Sequence, residues 1–317
     1  MDPLKRRPLG DTGVALPPLV LGTAPMSTFF WETPAARGVA TAVAAIDAGM
    51  RAFDTAPLYG LGEAETRLGI ALSQRPDAAA DAVVATKVGR TLVDTPDGPD
   101  VEFDFSADAV HRQLEASLAR LGRARVDIVH VHDPDDHLDE AVSGAFPALA
   151  RWRDEGVIGA VSVGSNVVGT VLSVLDRAAP DVVMVAGRLT LLDRSAIGQL
   201  TSRCLERGVP LLAAAVFNSG VLARPVEGAW LDYAPVPPAV LDRVRRMGAA
   251  CERAGTTLRA AALQFPLRDP AVAAVVVGMS SPEEVDTNLA DIAAPIPDDL
   301  WAELDELALD APAAPTE

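Results

Sequence analysis

The sequence predicts an α/β fold, a TIM (β/α)8 barrel closed at its amino end by a β-hairpin plug and finished by a C-terminal helix. Three observations carry that expectation. Eight short, near-continuously apolar runs alternate with helical stretches along the chain, and strands covered on both faces read that way. The 317 residues suit one barrel, a fold of about 250 residues and more. Three successive runs end in a titratable residue: Asp54 after Met50–Phe53, Lys87 after Ala82–Thr86 and His132 after Val126–Val131. In a barrel of parallel strands the carboxyl ends open on one face, where groups from different strands meet.

Taken in order, Arg7–Leu19 reads as a hairpin turning at Gly10–Gly13. Leu19–Thr23 is the first barrel strand. Pro34–Ala48 is a helix stopped by Gly49. Met50–Asp54 is strand two, Glu63–Gln74 a helix and Ala82–Thr86 strand three. Thr91–Phe105 is rich in Asp, Pro and Gly and reads as a loop. Ser106 caps a helix that runs to Leu121, with Gly122 as its stop. Val126–Val131, Ile158–Val163, Val182–Ala186 and Val209–Ala214 are strands four to seven. The helices Leu138–Asp154, Val167–Arg177 and Ser195–Arg207 lie between them. An irregular loop, Phe217–Pro238, precedes helices Ala239–Ala254 and Thr256–Leu267. Val272–Val277 is strand eight, and helices Pro282–Leu289 and Pro297–Leu309 follow. Right-handed crossovers turn this alternation into a parallel sheet that closes. Residues 1–310 are expected to form one barrel domain and residues 311–317 a disordered tail.

The formal net charge of −17 argues against a nucleic-acid or membrane-surface partner. The opening MDPLKRRPLG has no apolar core, so no signal peptide is expected. No apolar run reaches the roughly 20 residues that span a bilayer. Cys204 and Cys251 stand apart with no Cys-x-x-Cys pairing, which favours small buried side chains over a disulfide or zinc site. These features fit a cytoplasmic protein that acts on a small molecule.

The chemistry gathers around Phe53–Gly60, FDTAPLYG. Alone, its Asp54 and Tyr59 describe an Asp-capped turn with a surface tyrosine, and an isolated Lys87 or His132 is more often a buried ion pair or a satisfied core histidine. Together with Lys87 in ATKVG and His132 in VDIVHVHDPD, the four resemble the catalytic tetrad of the aldo-keto reductases, and the resemblance extends from about Arg7 to Leu309. It implies hydride transfer to or from a nicotinamide, with Tyr59 as general acid/base. Lys87 would lower the tyrosine pKa, Asp54 would hold Lys87, and His132 would orient the substrate oxygen. His130 lies two residues before His132, on the same strand face. A His-x-His pair with Asp133 is one way to hold a metal, but no third ligand motif accompanies it. His130 is therefore read as barrel-filling or supporting, and no metal is expected.

The resemblance also implies a cofactor, NAD or NADP, with contacts from Gly22 and Thr23 after strand one. In VSVGSN it assigns Ser165 and Asn166 to the carboxamide, with Gly164 as the alternative occupant of the usual Ser register. Ala186 stands where a Gln is common, and Arg188, on the same face, needs a partner that the sequence does not name. Phe217, Ser219 and Gly220 follow strand seven, in the segment that wraps the pyrophosphate. VVVGMSSPEEVDTNL (Val275–Leu289) resembles the adenosine site, with Gly278, Met279, Ser280, Glu284 and Asn288 as contacts. The plain reading of that stretch is a surface helix with a Ser–Pro start. Gly278 and Glu284 replace a Lys and an Arg that grip a 2′-phosphate in NADPH-preferring relatives, so NAD is the favoured cofactor. No GxGxxG occurs, which excludes a Rossmann site.

Four segments, FDTAPLYG-x-G, VHDPDDH, AGRLTLLD and AVFNSGVLA, resemble the branch of this family that acts on L-fucose, D-threo-aldoses and pyridoxal. That branch oxidises cyclic hemiacetals to lactones. Ala64–Glu65 departs from its usual Ser–Glu, and Leu189 from its usual Tyr. Tyr59, His132, Met26, Phe30 and Trp31 are expected to line the substrate pocket. The aromatic run Phe29–Trp31 either walls a pocket for a larger, more apolar substrate or packs beneath a neighbouring loop. Two other readings compete: a reductase of aldehydes or ketones, and a nucleotide-binding regulatory subunit on the same fold.

Overall fold

The computed structural model describes residues 1–29, 32–96, 98–232 and 234–309. The aromatic pair Phe30–Trp31 and the expected tail lie outside them. Eight strands form a closed barrel: β1 (Leu19–Gly22), β2 (Ala52–Asp54), β3 (Val83–Val88), β4 (Val126–His132), β5 (Ile158–Ser165), β6 (Val182–Ala186), β7 (Leu211–Ala214) and β8 (Val272–Gly278). Each pairs in parallel with its neighbours in sequence, and β8 closes on β1 through Val275–Gly278 against Leu19–Gly22. The apolar runs of the sequence are these strands. β2 ends at Asp54 as predicted, whereas β3, β4 and β5 run one or two residues further, to Val88, His132 and Ser165, which places Lys87, His132 and Ser165 in their last two residues.

The amino end is plugged as the sequence predicts. Arg7–Pro8 pairs antiparallel with Ala15–Leu16. Leu9, Val14 and Leu16 of this hairpin pack with Val20, Ala52, Val83, Ile128 and Val182 in the lower half of the barrel. A second, larger cluster fills the space between barrel and helices and includes Phe53, Val84, Leu114, Val129 and Val163. Successive residues on one strand therefore separate into barrel-interior and helix-facing sets.

Several segments differ from the sequence reading, among them the helix expected from Ser195, which begins at Gln199. Thr91–Phe105 is not a loop. Arg90–Thr95 and Gly98–Phe103 pair antiparallel as a hairpin above β3. Gly98, at φ +114, supplies the turn, and Val93, Thr95, Val101 and Phe103 are residue types that suit strands. The helix expected over Leu138–Asp154 is interrupted by a π turn at Ala141–Ala145 before Phe146–Asp154. Pro147 has no N–H to complete the regular ladder there. The loop Phe217–Pro238 contains a short antiparallel pair, Trp230–Leu231 with Ala234–Pro235. The helix that starts at Pro282 continues to Ala293, four residues past its predicted end. Its last turn is satisfied from outside, because Gln264 donates to the Asp291 and Ala294 carbonyls.

Gly89 joins β3 to the hairpin at φ +103, and a Cβ there would fall 2.0 Å from the Phe105 ring. Gly89→Ala combines backbone strain with overpacking, so we expect a loss of about 2–4 kcal/mol, measured as a lowered urea midpoint with an unchanged m-value.

Candidate active site

Strand alternation decides which side chains enter the barrel. On β4, Ile128, His130 and His132 share one face, and Ile128 belongs to the apolar interior cluster. On β3, Val83, Ala85 and Lys87 do the same, and on β2, Ala52 and Asp54. Apolar layers thus give way to polar ones towards the carboxyl end. Asp54, Lys87, His130 and Ser162 are all buried.

Lys87 Nζ donates to Asp54 Oδ1 at 2.5 Å and to the Thr55 carbonyl at 2.9 Å. Burial pushes the Asp54 carboxyl up, but the Lys87 ammonium and His130 outweigh it and hold the group below its ordinary value. Burial pulls Lys87 down, and Asp54 and Tyr59 more than restore it. The pair is therefore ionised. Lys87 Nζ lies 5.0 Å from the centroid of the Tyr59 ring. Tyr59 and His132 meet edge to face, with centroids 6.2 Å apart at 86°. The four residues named from the sequence do come together.

Two findings refine that reading. Burial raises the Tyr59 hydroxyl to about 12 against the downward pull of Lys87. The lysine acts in the expected direction, but desolvation is larger, so the resting form is the neutral phenol. His132 is held well below its usual value by burial and by the positive charge of Lys87 and Arg90. It is a neutral imidazole at working pH, suited to hydrogen bonding rather than charge pairing.

His130 fills the layer beneath. Its Nδ1 lies 2.7 Å from Ser162 Oγ, and its Nε2 lies 3.4 Å from Asp54 Oδ2. With the proton on Nε2, the ring donates towards Asp54 and accepts from Ser162. Among the described residues, no group of three or more His, Cys, Asp or Glu side chains is placed to hold a metal.

The cofactor candidates line the same rim. Thr23 Oγ1 and Asn218 Oδ1 are buried without a hydrogen-bond partner, as expected of groups that await a ligand. A Cβ on Gly22 would crowd the Gly278 and Val277 backbone at 3.3 Å, which explains the glycine where two strand ends converge. Asn218 and Ser219 both take left-handed φ, at +46 and +55, and Gly220 follows at +96. This winds the segment after β7 tightly and leaves Ser219 exposed. These residues fit a dinucleotide along the rim.

Other candidates have local duties. Ser165 Oγ donates to Asp135 Oδ1 at 2.7 Å. Asn166 lines the mouth, and its carbonyl accepts from Arg188 Nε at 3.1 Å. Glu284 folds back to accept from the Ser280 N–H at 2.6 Å and hydroxyl at 3.2 Å. Asn288 is buried, with Oδ1 accepting from Arg259. The Arg259 guanidinium lies 4.9 Å from the Phe217 ring centroid, so one side chain ties the segment after β7 to the helix at Pro282. The Met279 side chain packs in the core, which leaves only its backbone for a ligand. Met26 does not line the pocket. Its side chain is fully buried in the core between barrel and helices, because the turn Ala24–Met26 points it inward.

The mouth holds a cavity of about 360 Å³ lined by Phe29, Arg90, Phe103, Asp133, Asp135, Asp136, His137 and Asn166. Phe29 lies 5.4 Å from the Tyr59 ring. Phe103 stacks on His137 at 5.2 Å and 18°, which brings the hairpin onto the segment after β4. Sequence reasoning missed Phe103, which lies in the segment Thr91–Phe105 read as a loop, and Arg90, which immediately precedes it and opens the hairpin. The repeated carboxylates of VHDPDD were the available signal for Asp135 and Asp136. Arg188 does have partners: Asp193 at 3.1 Å and Asp232, in the long loop, at 2.7 Å.

A family signature described as "Aldo/keto reductase family" matches residues 18–309. D-threo-aldose 1-dehydrogenase from Pseudomonas sp is 39% identical over 316 residues, covering 94% of this chain and 95% of the relative. Pyridoxal 4-dehydrogenase from Microbacterium luteolum is 34% identical over 332 residues, covering 95% and 96%. Among solved structures, the aldo-keto reductase AKR11C1 from Bacillus halodurans, in its holo form, superposes with a TM-score of 0.81 at 25% identity, over 98% of this chain and 99% of that one.

Lys87→Met would leave the Asp54 carboxylate buried beside a neutral histidine, and we expect a loss of about 3–5 kcal/mol. Adding Asp54→Leu to it should restore part of that loss. Urea unfolding of the four species in the cycle measures the coupling.

Proposed function

From the premise that the chain belongs to the aldo/keto reductase family, and is thus a nicotinamide-dependent oxidoreductase, we propose that it oxidises the cyclic hemiacetal of an aldose or a pyridoxal-like aldehyde to a lactone. The observation that carries this reading is the polarity of the mouth. Three carboxylates and a guanidinium surround the cavity beside His132 and Tyr59. Such a lining suits a guest that brings several hydroxyl groups and is poor for an apolar one. The two curated relatives, named for D-threo-aldose and pyridoxal, support the same class.

In this reading Tyr59, as the phenolate, accepts the proton of the anomeric hydroxyl, and Lys87 offsets the charge that the ring carries. Neutral His132 donates a hydrogen bond to the same oxygen and fixes its position. Asp54 and His130 keep Lys87 in register beneath the ring. A bound nicotinamide supplies the acceptor for the hydride. Gly22, Thr23, Ser165, Asn166, Phe217, Ser219, Gly220, Ser280 and Asn288 would hold the dinucleotide, through backbone and side-chain groups along one rim. Glu284 stands where a 2′-phosphate would need a cation, so NAD is the favoured partner. A clear preference for NADP in KM would overturn that choice.

One observation favours a second reading, the reduction of aldehydes. With its hydroxyl at about 12, Tyr59 is a proton donor at neutral pH, which serves the reductive direction. Absorbance at the nicotinamide band separates the two. L-fucose, D-arabinose and pyridoxal are offered with NAD+, then aromatic and aliphatic aldehydes with NADH and NADPH. Turnover of plain aldehydes alone would select the reductase, and no turnover in either panel would leave a binding role.

For the oxidative reaction the sign of the pH dependence follows from the phenol. Its active base is the minor form below about 12, so kcat should rise by about tenfold per pH unit from pH 7 towards 10 while proton transfer limits the rate. Tyr59→Phe should lower kcat by about 10³-fold or more and leave nucleotide affinity, read by fluorescence quenching, unchanged. A variant that kept most of its rate would refute the assignment.

A further inference from the structure

Consecutive residues of a strand point to opposite sides. His132 is the last residue of β4 and faces the barrel mouth, so Asp133 should face the helices. It does not. Its backbone takes φ +45, an uncommon value for a residue other than glycine, though one that Asp tolerates. The Asp133 N–H is pinned to the Gly164 carbonyl at 2.9 Å, which keeps the chain beside β5 through the turn. As a result both side chains reach one place: His132 Nε2 lies 3.6 Å from Asp133 Oδ2. Strain of this kind persists where the surroundings impose it, and it concentrates at functional sites.

The carboxylate is held from one side and open on the other. Arg90 Nη1 approaches Oδ2 at 3.3 Å, and 28% of the side chain remains exposed. Burial raises the group to about 6 even with Arg90 beside it, the behaviour of a carboxylate short of donors. It lines the cavity at the mouth.

We propose that Asp133 is a specificity-determining residue that accepts a hydrogen bond from the hydroxyl on the carbon next to the reacting one, so that the site selects 2-hydroxy carbonyl compounds and their cyclic hemiacetals; within the class proposed above this favours aldoses over pyridoxal, which has no hydroxyl on that carbon. The spacing supports this. Vicinal oxygens lie about one hydrogen-bond length apart. A substrate whose reacting oxygen sits on His132 Nε2 therefore brings its neighbour within reach of Asp133. A charged acceptor makes the stronger class of hydrogen bond, and a substrate lacking that hydroxyl displaces water from the half-buried carboxylate without replacing the bond. This inference rests on His132 as the group that holds the reacting oxygen. It holds for oxidation and reduction alike.

The test compares wild type, Asp133→Asn and Asp133→Gly. Asn keeps the shape and tolerates the left-handed backbone, and Gly relieves that backbone altogether. Each is assayed on D-arabinose and its 2-deoxy counterpart, 2-deoxy-D-ribose, with NAD+. Each is also assayed on lactaldehyde and propanal with NADH. Wild type should favour the hydroxylated member of a pair by about 30- to 100-fold in kcat/KM. Both variants should lose that preference by slowing the hydroxylated substrate, with the deoxy member within about threefold of wild type. An equal fall on both members would assign Asp133 a purely structural role and overturn the proposal, as would an unchanged preference. The two pairs keep the hemiacetal reading separate. Turnover of the aldehydes without the sugars refutes that reading, and the lactaldehyde–propanal comparison still decides the role of Asp133.

Discussion

Everything at the mouth of this barrel depends on an ion pair placed where water cannot reach it. Lys87 and Asp54 are both buried and only 2.5 Å apart. Such a pair contributes little net stability, since desolvation offsets most of the attraction, but removing one partner is costly. The fold therefore holds a cation at a fixed height beneath Tyr59 and His132. That cation helps to keep His132 neutral and draws the phenol towards ionisation. Burial opposes it at the tyrosine and prevails, so the ring rests protonated. The electrostatics of the site are a contest between one charge and its own dry surroundings.

The barrel makes this placement possible by sorting side chains in layers. Below, Val20, Ala52, Val83 and Ile128 fill the interior with the plug hairpin. One step up, His130 and Ser162 occupy the level of the ion pair, each able to give and accept a hydrogen bond. The second histidine, ambiguous in the sequence, is thus the transition between an apolar filling and a charged one. It presents a polar atom to Asp54 where an aliphatic residue would leave Oδ2 against hydrocarbon.

Much of this was legible in the sequence, for identifiable reasons. Strand interiors announce themselves as apolar runs, and the titratable residues at their ends are conspicuous, so Asp54, Lys87 and His132 could be placed before any coordinates. Tyr59 followed only from the resemblance of the four motifs together to the family tetrad, since its short separation from Asp54 describes an ordinary capped turn. What was not legible depended on distance or on backbone angle. The segment Thr91–Phe105 reads as a loop, because Asp, Pro and Gly mask the strand pattern of the hairpin Arg90–Phe103, whose partner is itself. Arg188 finds one partner five residues away and another, Asp232, 44 residues on, and no periodicity reports the second. Met26 is apolar and follows β1, which suits a pocket wall as well as a core position, and only the direction of the turn decides. Asp133 entered the sequence reading only as a companion of the His-x-His pair in a metal site; strand alternation sends its side chain away from the mouth, and a single dihedral reverses that.

The hairpin over β3 has a consequence of another kind. Its two strands bond to each other and to none of the barrel strands, yet it contributes Arg90 and Phe103 to the wall of the cavity. The cylinder that carries the reactive groups and the appendage that frames the guest are separate sheets, tied together by side chains at Arg90–Asp133 and Phe103–His137. Exchanging the hairpin beyond Arg90, whose charge is felt by His132, can change what is admitted while the reactive groups beneath keep their setting, and a protein engineer can graft at that seam.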